Sequence, residues 1–145
     1  AVAIGQTWAR EGNFAVAEIW LTHAVDLQPN DAGLWKVLAR FYLDHTMVSR
    51  SRAISATNKL VELSPEDAAA YDLRGWAALQ AGDYDTAQRE LERAVRLDPT
   101  FARAHYHLGV LWHALGQAEE AQAAFTRTVD LDTSGDLLPL VERMR

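Results

Sequence analysis

Apolar residues recur along this chain three and four apart, the spacing of one face of a helix, and polar stretches interrupt the recurrence at regular intervals. The strongest interruptions are Pro29, Pro65 and Pro99, which close the runs DLQP, ELSP and RLDP. Proline lacks an amide donor and restricts the residue before it, so each marks the end of one helix and the approach to the next. Softer breaks lie between them at REGN, LDHTMVS, QAGD and ALGQ. The pattern predicts helices over 1–10, 14–27, 31–44, 49–63, 67–80, 84–97, 101–114 and 118–131, paired as hairpins.

The hairpins are copies of one another. Residues 81–99 (AGDYDTAQRELERAVRLDP) and 115–133 (LGQAEEAQAAFTRTVDLDT) align at an offset of 34, with Gly82 on Gly116, Ala87 on Ala121, Leu91 on Phe125 and Val95 on Val129. An earlier copy at 11–29 carries Gly12, Ala17, Leu21, Ala24 and Pro29 in the same places. Small residues at Gly75/Ala87 and Gly109/Ala121 predict close approach of paired helices, with Tyr71, Leu91, Trp112 and Phe125 filling the space beside them.

These positions resemble the tetratricopeptide repeat (TPR). Its pattern of an aromatic, Leu, Gly or Ala, Tyr, Ala, a large residue, Ala and Pro is met by Trp35, Leu38, Ala39, Tyr42, Ala53, Leu60 and Pro65. Tyr71, Gly75, Ala87, Leu91, Ala94 and Pro99 meet it again, as do Leu108, Gly109, Trp112, Ala121 and Phe125, and, in a first repeat short of its opening residues, Ile4, Gly5, Trp8, Ala17, Leu21, Ala24 and Pro29. The resemblance implies an all-α, right-handed solenoid of about four helix-turn-helix hairpins spanning 1–135, with repeats near 1–31, 32–67, 68–101 and 102–135. Residues 136–145 read as a capping helix, with Asp136 as its N-cap and Leu137, Leu140, Val141 and Met144 on one face. The start inside a helical pattern suggests the C-terminal part of a longer array. Three departures stand out. Repeat 2 has two extra residues, placed in HTMVSRSR; Arg74 replaces a usual Leu, so its side chain is expected to snorkel or to pair with a carboxylate; Thr128 and Thr133 replace Ala and Pro.

Charge and chemistry narrow the function. A formal charge of −6 disfavours a nucleic-acid binder, although Lys36, Arg40, Arg50, Arg52 and Lys59 face Asp44 alone within 36–59. No cysteine is present, which excludes disulfides and thiolate metal sites, and no apolar run is long enough for membrane insertion. Nucleophile, phosphate-loop and metalloprotease motifs are missing, so no catalytic residue, metal or cofactor is expected. His105, His107 and His113 share a helix at spacings that cannot chelate one ion, and His105 takes an aromatic packing place. The acidic pairs in DYD (83–85) and DLD (130–132) read as capping or solvated carboxylates.

The resemblance also implies a concave groove lined by the first helix of each repeat. Counting the groove places from Ala32, Ala68 and Ala102 selects Lys36 and Arg40; Asp72, Trp76 and Gln80; and Arg103, Tyr106, His107 and His113 as the peptide-binding set. Cations at both ends and aromatics between them suit a protein or peptide segment that is acidic or ends in a carboxylate. A co-chaperone subclass grips chaperone tails with a Lys/Asn clamp, and Lys36, Arg103 and His107 are similar to part of it. Arg40 stands where that clamp has Asn, and Asp72-Leu73 supplies none, so the likeness does not extend to its ligand. Two alternatives remain: an assembly module that self-associates through its N-terminal edge or spaces a fused domain, and a regulator of a fused catalytic domain.

Overall fold

The computed structural model describes residues 1–45 and 50–145, and among them every regular element is a helix. In chain order these are α1 (Val2–Arg10), α2 (Phe14–Leu27), α3 (Ala32–Asp44), α4 (Arg50–Leu63), α5 (Ala68–Ala81), α6 (Tyr84–Leu97), α7 (Ala102–Ala114), α8 (Ala118–Leu131) and α9 (Leu138–Met144). They form two compact units, Ala1–Pro65 and Glu66–Arg145. In the first, α1 pairs with α2 and α3 with α4, and α3 also meets α1 and α2. In the second, α5 pairs with α6 and α7 with α8; α7 also packs on α5 and α6, and α9 lies on α8. The two extra residues expected within HTMVSRSR fall at 46–49, outside the described residues, as does Ser49 at the expected start of α4.

Local chemistry sets the helix ends. Asp31, Asp67 and Asp83 cap α3, α5 and α6, their carboxylates accepting from the amides of Gly33, Ala69 and Thr86. The Asp83 carboxyl is held below its ordinary value by its bonds from the Thr86 side chain and amide. The turn between α5 and α6 needs a left-handed residue, and Gly82 supplies it at φ 78°. There the Asp83 amide donates to the Ala78 carbonyl (2.9 Å) and the Gly82 amide to that of Leu79 (3.1 Å). Gly116 repeats the arrangement between α7 and α8, at φ 74°.

Volume complementarity joins each pair. A Cβ on Gly75 would lie 2.6 Å from Leu91 Cγ, and one on Gly109 would lie 2.4 Å from Phe125 Cε1. Gly5 stands against Leu21 in the same way, at 2.9 Å. The second repeat has Ala39 and Thr57 at the corresponding places, both fully buried. A methyl gained on the first helix is offset there by a smaller side chain on the second.

Two further details follow the repeat. Trp35 Nε1 donates to the Pro29 carbonyl (2.8 Å), and His105 Nε2 meets that of Pro99 (2.9 Å), six residues back in both cases. His105 therefore takes an indole's place and must carry its proton on Nε2 to bond that carbonyl. His105→Phe keeps the ring and removes this donor; a urea melt is expected to show a loss of about 1 kcal/mol. Arg74 pairs with a carboxylate, since Nε donates to Glu90 Oε2 at 2.9 Å. Its guanidinium also lies 5.5 Å from the Tyr71 ring centre, with that of Arg93 at 5.0 Å.

At the C-terminus the expected cap is corrected. Asp136 makes no capping bond to α9; Asp132 takes the role, its Oδ2 accepting from the Leu137 amide at 2.8 Å. Burial raises the Asp132 carboxyl, but bonds from Leu137, Ser134, Gly135 and Leu138 together bring it below its ordinary value. Val141 of α9 is fully buried in a cluster with Tyr106, Ala121 and Phe125.

Candidate functional site

In the first unit, α1 and α3 border a concavity of about 490 Å³. Leu21, Val37 and Phe41 give it an apolar lining, while Gln6, Arg10, Arg40 and Asp44 supply polar atoms around it. Arg40 is half-buried, and it makes no ion pair among the described residues. A guanidinium partly withdrawn from water and left without a counter-charge favours a bidentate acceptor such as a carboxylate. Arg10 adds a second cation, its Nε donating to the Gln6 carbonyl at 3.4 Å. His45 closes one side, its ring 4.2 Å from that of Phe14 and 5.2 Å from that of Phe41.

Of the expected groove residues in this unit, Arg40 borders the concavity and Lys36 does not. Gln6, Ala9 and Arg10 were not among the candidates, yet a signal for them existed. Carrying the repeat count back into the truncated first copy puts them at the ninth, twelfth and thirteenth places, the same places used to choose residues later in the chain.

A second depression of about 450 Å³ lies between α2 and α4 and includes Glu18, Tyr42 and Arg52. Its polar groups already serve one another. Tyr42 donates to Glu18 Oε1 at 2.8 Å, and Arg52 pairs with the same oxygen. Burial first, then the bond to Glu18, pushes the Tyr42 phenol well above its ordinary value. That arrangement is a structural clasp.

The second unit departs from an open, charged surface. Asp72 and His107 are 1% and 2% exposed, and His107 Nδ1 lies 2.6 Å from Asp72 Oδ1. Tyr106 is buried too, its phenol raised by burial although Arg143 and Arg103 act to lower it. Asp72, Tyr106 and His107 are therefore corrected from groove-facing residues to buried ones. The reason is packing that the count by repeat position leaves out. Trp76 stands edge-on to His107 with ring centres 3.7 Å apart, lies 6.4 Å from the Tyr106 ring, and packs against the cluster that contains Tyr106 and Phe125. Trp76, selected only as a groove residue, also has a packing role. Gln80 and Arg103 are half-buried, and His113 is exposed.

Among the described residues no group of three or more His, Cys, Asp or Glu could hold a metal ion, and no helix is long and apolar enough to cross a membrane.

Comparison with known proteins places this geometry in a wider set. Residues 73–136 match the family model described as tetratricopeptide repeat. The chain is 33% identical over 86 residues to the small glutamine-rich tetratricopeptide repeat-containing protein 2 of Mycosarcoma maydis, covering 59% of this chain and 24% of that protein. It is 38% identical over 72 residues to the TPR repeat-containing thioredoxin TTL4 of Arabidopsis thaliana, covering 50% of this chain and 11% of that one. The chain thus spans a quarter or less of the length of these curated relatives. Among solved structures, a thermophilic TPR protein of Thermus thermophilus superposes with a TM-score of 0.84 at 19% identity, covering 99% of this chain and 78% of that one. The crystal structure of MamA gives 0.73 at 26% identity, covering 89% of this chain and 74% of that chain.

Proposed function

We infer a peptide-holding role from one premise: this chain belongs to the tetratricopeptide-repeat family. It is a protein–protein interaction module, and the finer reading is that the concavity beside α1 and α3 holds a segment that is acidic or ends in a carboxylate. Arg40 carries this reading, because a half-buried guanidinium without an ion-pair partner among the described residues gains most from an incoming carboxylate. The apolar lining from Leu21, Val37 and Phe41 suits an aliphatic or aromatic neighbour of that carboxylate. Asp44 is exposed at the border, where solvent screens its opposition. No catalysis or cofactor is proposed.

The test is an array of acidic, neutral and free-carboxylate peptides, read against wild type and against Arg40→Glu. The wild type is expected to select acidic or C-terminal sequences, and the charge reversal to weaken the best of them at least tenfold, about 1.4 kcal/mol. Equal binding by both proteins would remove the concavity from the account. Circular dichroism of Arg40→Glu should match the wild type.

A competing reading is self-association through the N-terminal edge. Its support is the exposure of Ile4 and Trp8, 44% and 37%, four residues apart on one face of α1. It predicts a size in sedimentation that rises with concentration and falls back in Trp8→Glu. A constant monomer mass would set it aside.

A further inference from the structure

We propose that the α5–α7 face of the second unit contains a subsite for a neutral carboxamide, the side-chain group of an asparagine or glutamine in a bound segment. The inference deepens the interaction reading above and rests on it, but it uses different residues and a different ligand chemistry.

Two buried polar atoms carry it. Asp72 Oδ2 and Trp76 Nε1 are both closed to solvent, and neither has a hydrogen-bond partner among the described residues. Asp72 and Trp76 are four residues apart on α5, so they share one face of that helix. Unsatisfied buried polar atoms are rare, because each loses its hydration without replacement. Here one is an acceptor and the other a donor. The other carboxylate oxygen of Asp72 is taken by His107, whose ring stands edge-on to the half-buried indole.

That pairing of polarity selects the ligand. A carboxamide has a carbonyl to accept from the indole N–H and an amino group to donate to the carboxylate. A carboxylate ligand could accept from Trp76, but its own oxygens would face Asp72, and two anions repel strongly at a site shielded from water. An ammonium could donate to Asp72 and would leave the indole N–H unmatched. The aromatic surroundings, Trp76, Tyr106 and His107, suit the flat faces of an amide. Trp76 is half-buried as a whole, and admitting the group requires the indole to tilt. The second unit therefore reads a neutral polar side chain, in contrast to the acidic group assigned to the first.

The test uses the full chain labelled with nitrogen-15, following the indole N–H resonances of the five tryptophans. Trp76 is assigned by its disappearance in Trp76→Phe. Titration with acetamide is expected to move the Trp76 resonance saturably, whereas acetate and methylammonium at equal concentration move it at least fivefold less. Asp72→Asn replaces the unpaired acceptor with a donor, so its preference should reverse from acetamide to acetate. If that variant does not fold, Trp76→Phe gives the second reading: acetamide-induced shifts of α5 and α7 backbone amides should fall at least fivefold. A Trp76 resonance unmoved by acetamide, or moved as far by acetate in the wild type, would overturn the proposal. These results are separable from the peptide test. Loss of the acetamide response leaves Arg40-dependent binding in place, and loss of that binding leaves the acetamide response readable.

Discussion

Gly109→Leu is expected to destabilise the second unit by about 3 kcal/mol, lowering its melting temperature by about 15 °C. The bare Cβ would sit 2.4 Å from Phe125 Cε1 and 2.5 Å from Cδ1 before any further atom is added. Phe125 cannot step aside, being 2% exposed and packed with Tyr106, Ala121 and Val141. Leucine's better helix propensity returns roughly 0.8 kcal/mol, too little to offset the clash. Gly75→Leu meets the buried Leu91 in the same way, and Ala87→Phe forces the α5–α6 pair apart from its other side. A thermal melt followed by circular dichroism tests all three. A Gly109→Leu protein melting with the wild type would mean that α7 and α8 do not meet through that glycine.

The second large effect belongs to His107→Ala. The substitution strands the Asp72 carboxylate, 1% exposed, without the imidazole bonded to it at 2.6 Å. Leaving a buried acceptor without its hydrogen-bond partner costs about 1–3 kcal/mol, because the survivor keeps its desolvation penalty and loses its partner. Asp72→Ala/His107→Ala should therefore cost less than the sum of the two single changes, by more than about 1 kcal/mol. Denaturant unfolding of the four proteins in this cycle provides the check. Additive losses would show that the two side chains do not support one another. The Arg74–Glu90 pair gives a smaller effect, since the arginine side chain remains 27% exposed and water screens it.

The helices and their pairing were legible because their determinants are local or repeat at a fixed offset. Pro29, Pro65 and Pro99, the capping aspartates at 31, 67 and 83, and the left-handed glycines at 82 and 116 each act within a few residues. The glycine-to-large-residue contacts recur in three of the four copies, so one alignment exposes them. For Arg74 the sequence left snorkelling or a carboxylate partner, and Glu90, one helix away in the same hairpin, makes it the second.

The site was read less completely, for physical reasons that differ by residue. Groove-facing position was equated with exposure, yet Asp72 and His107 bury each other across 35 residues of chain. Trp76 packs against a cluster assembled from α7, α8 and α9, which depends on the fold of the whole second unit. The unpaired state of Arg40 depends on where every nearby carboxylate ends up, which residue spacing alone does not give. Asp136 has the right type for a cap, but Asp132 reaches the Leu137 amide instead. Gln6 and Arg10 were within reach of the repeat count and needed only its extension to the first copy.

The central claim is that the concave side of the first unit receives the partner. Its most direct test is the backbone amide shift map of the labelled protein titrated with the best acidic peptide from the array. The account predicts that the largest shifts cluster on α1 and α3, around Gln6, Arg10, Val37 and Arg40, and vanish in Arg40→Glu. Shifts gathered on the outward faces of α2, α4 or α8, with α1 and α3 unmoved, would contradict it.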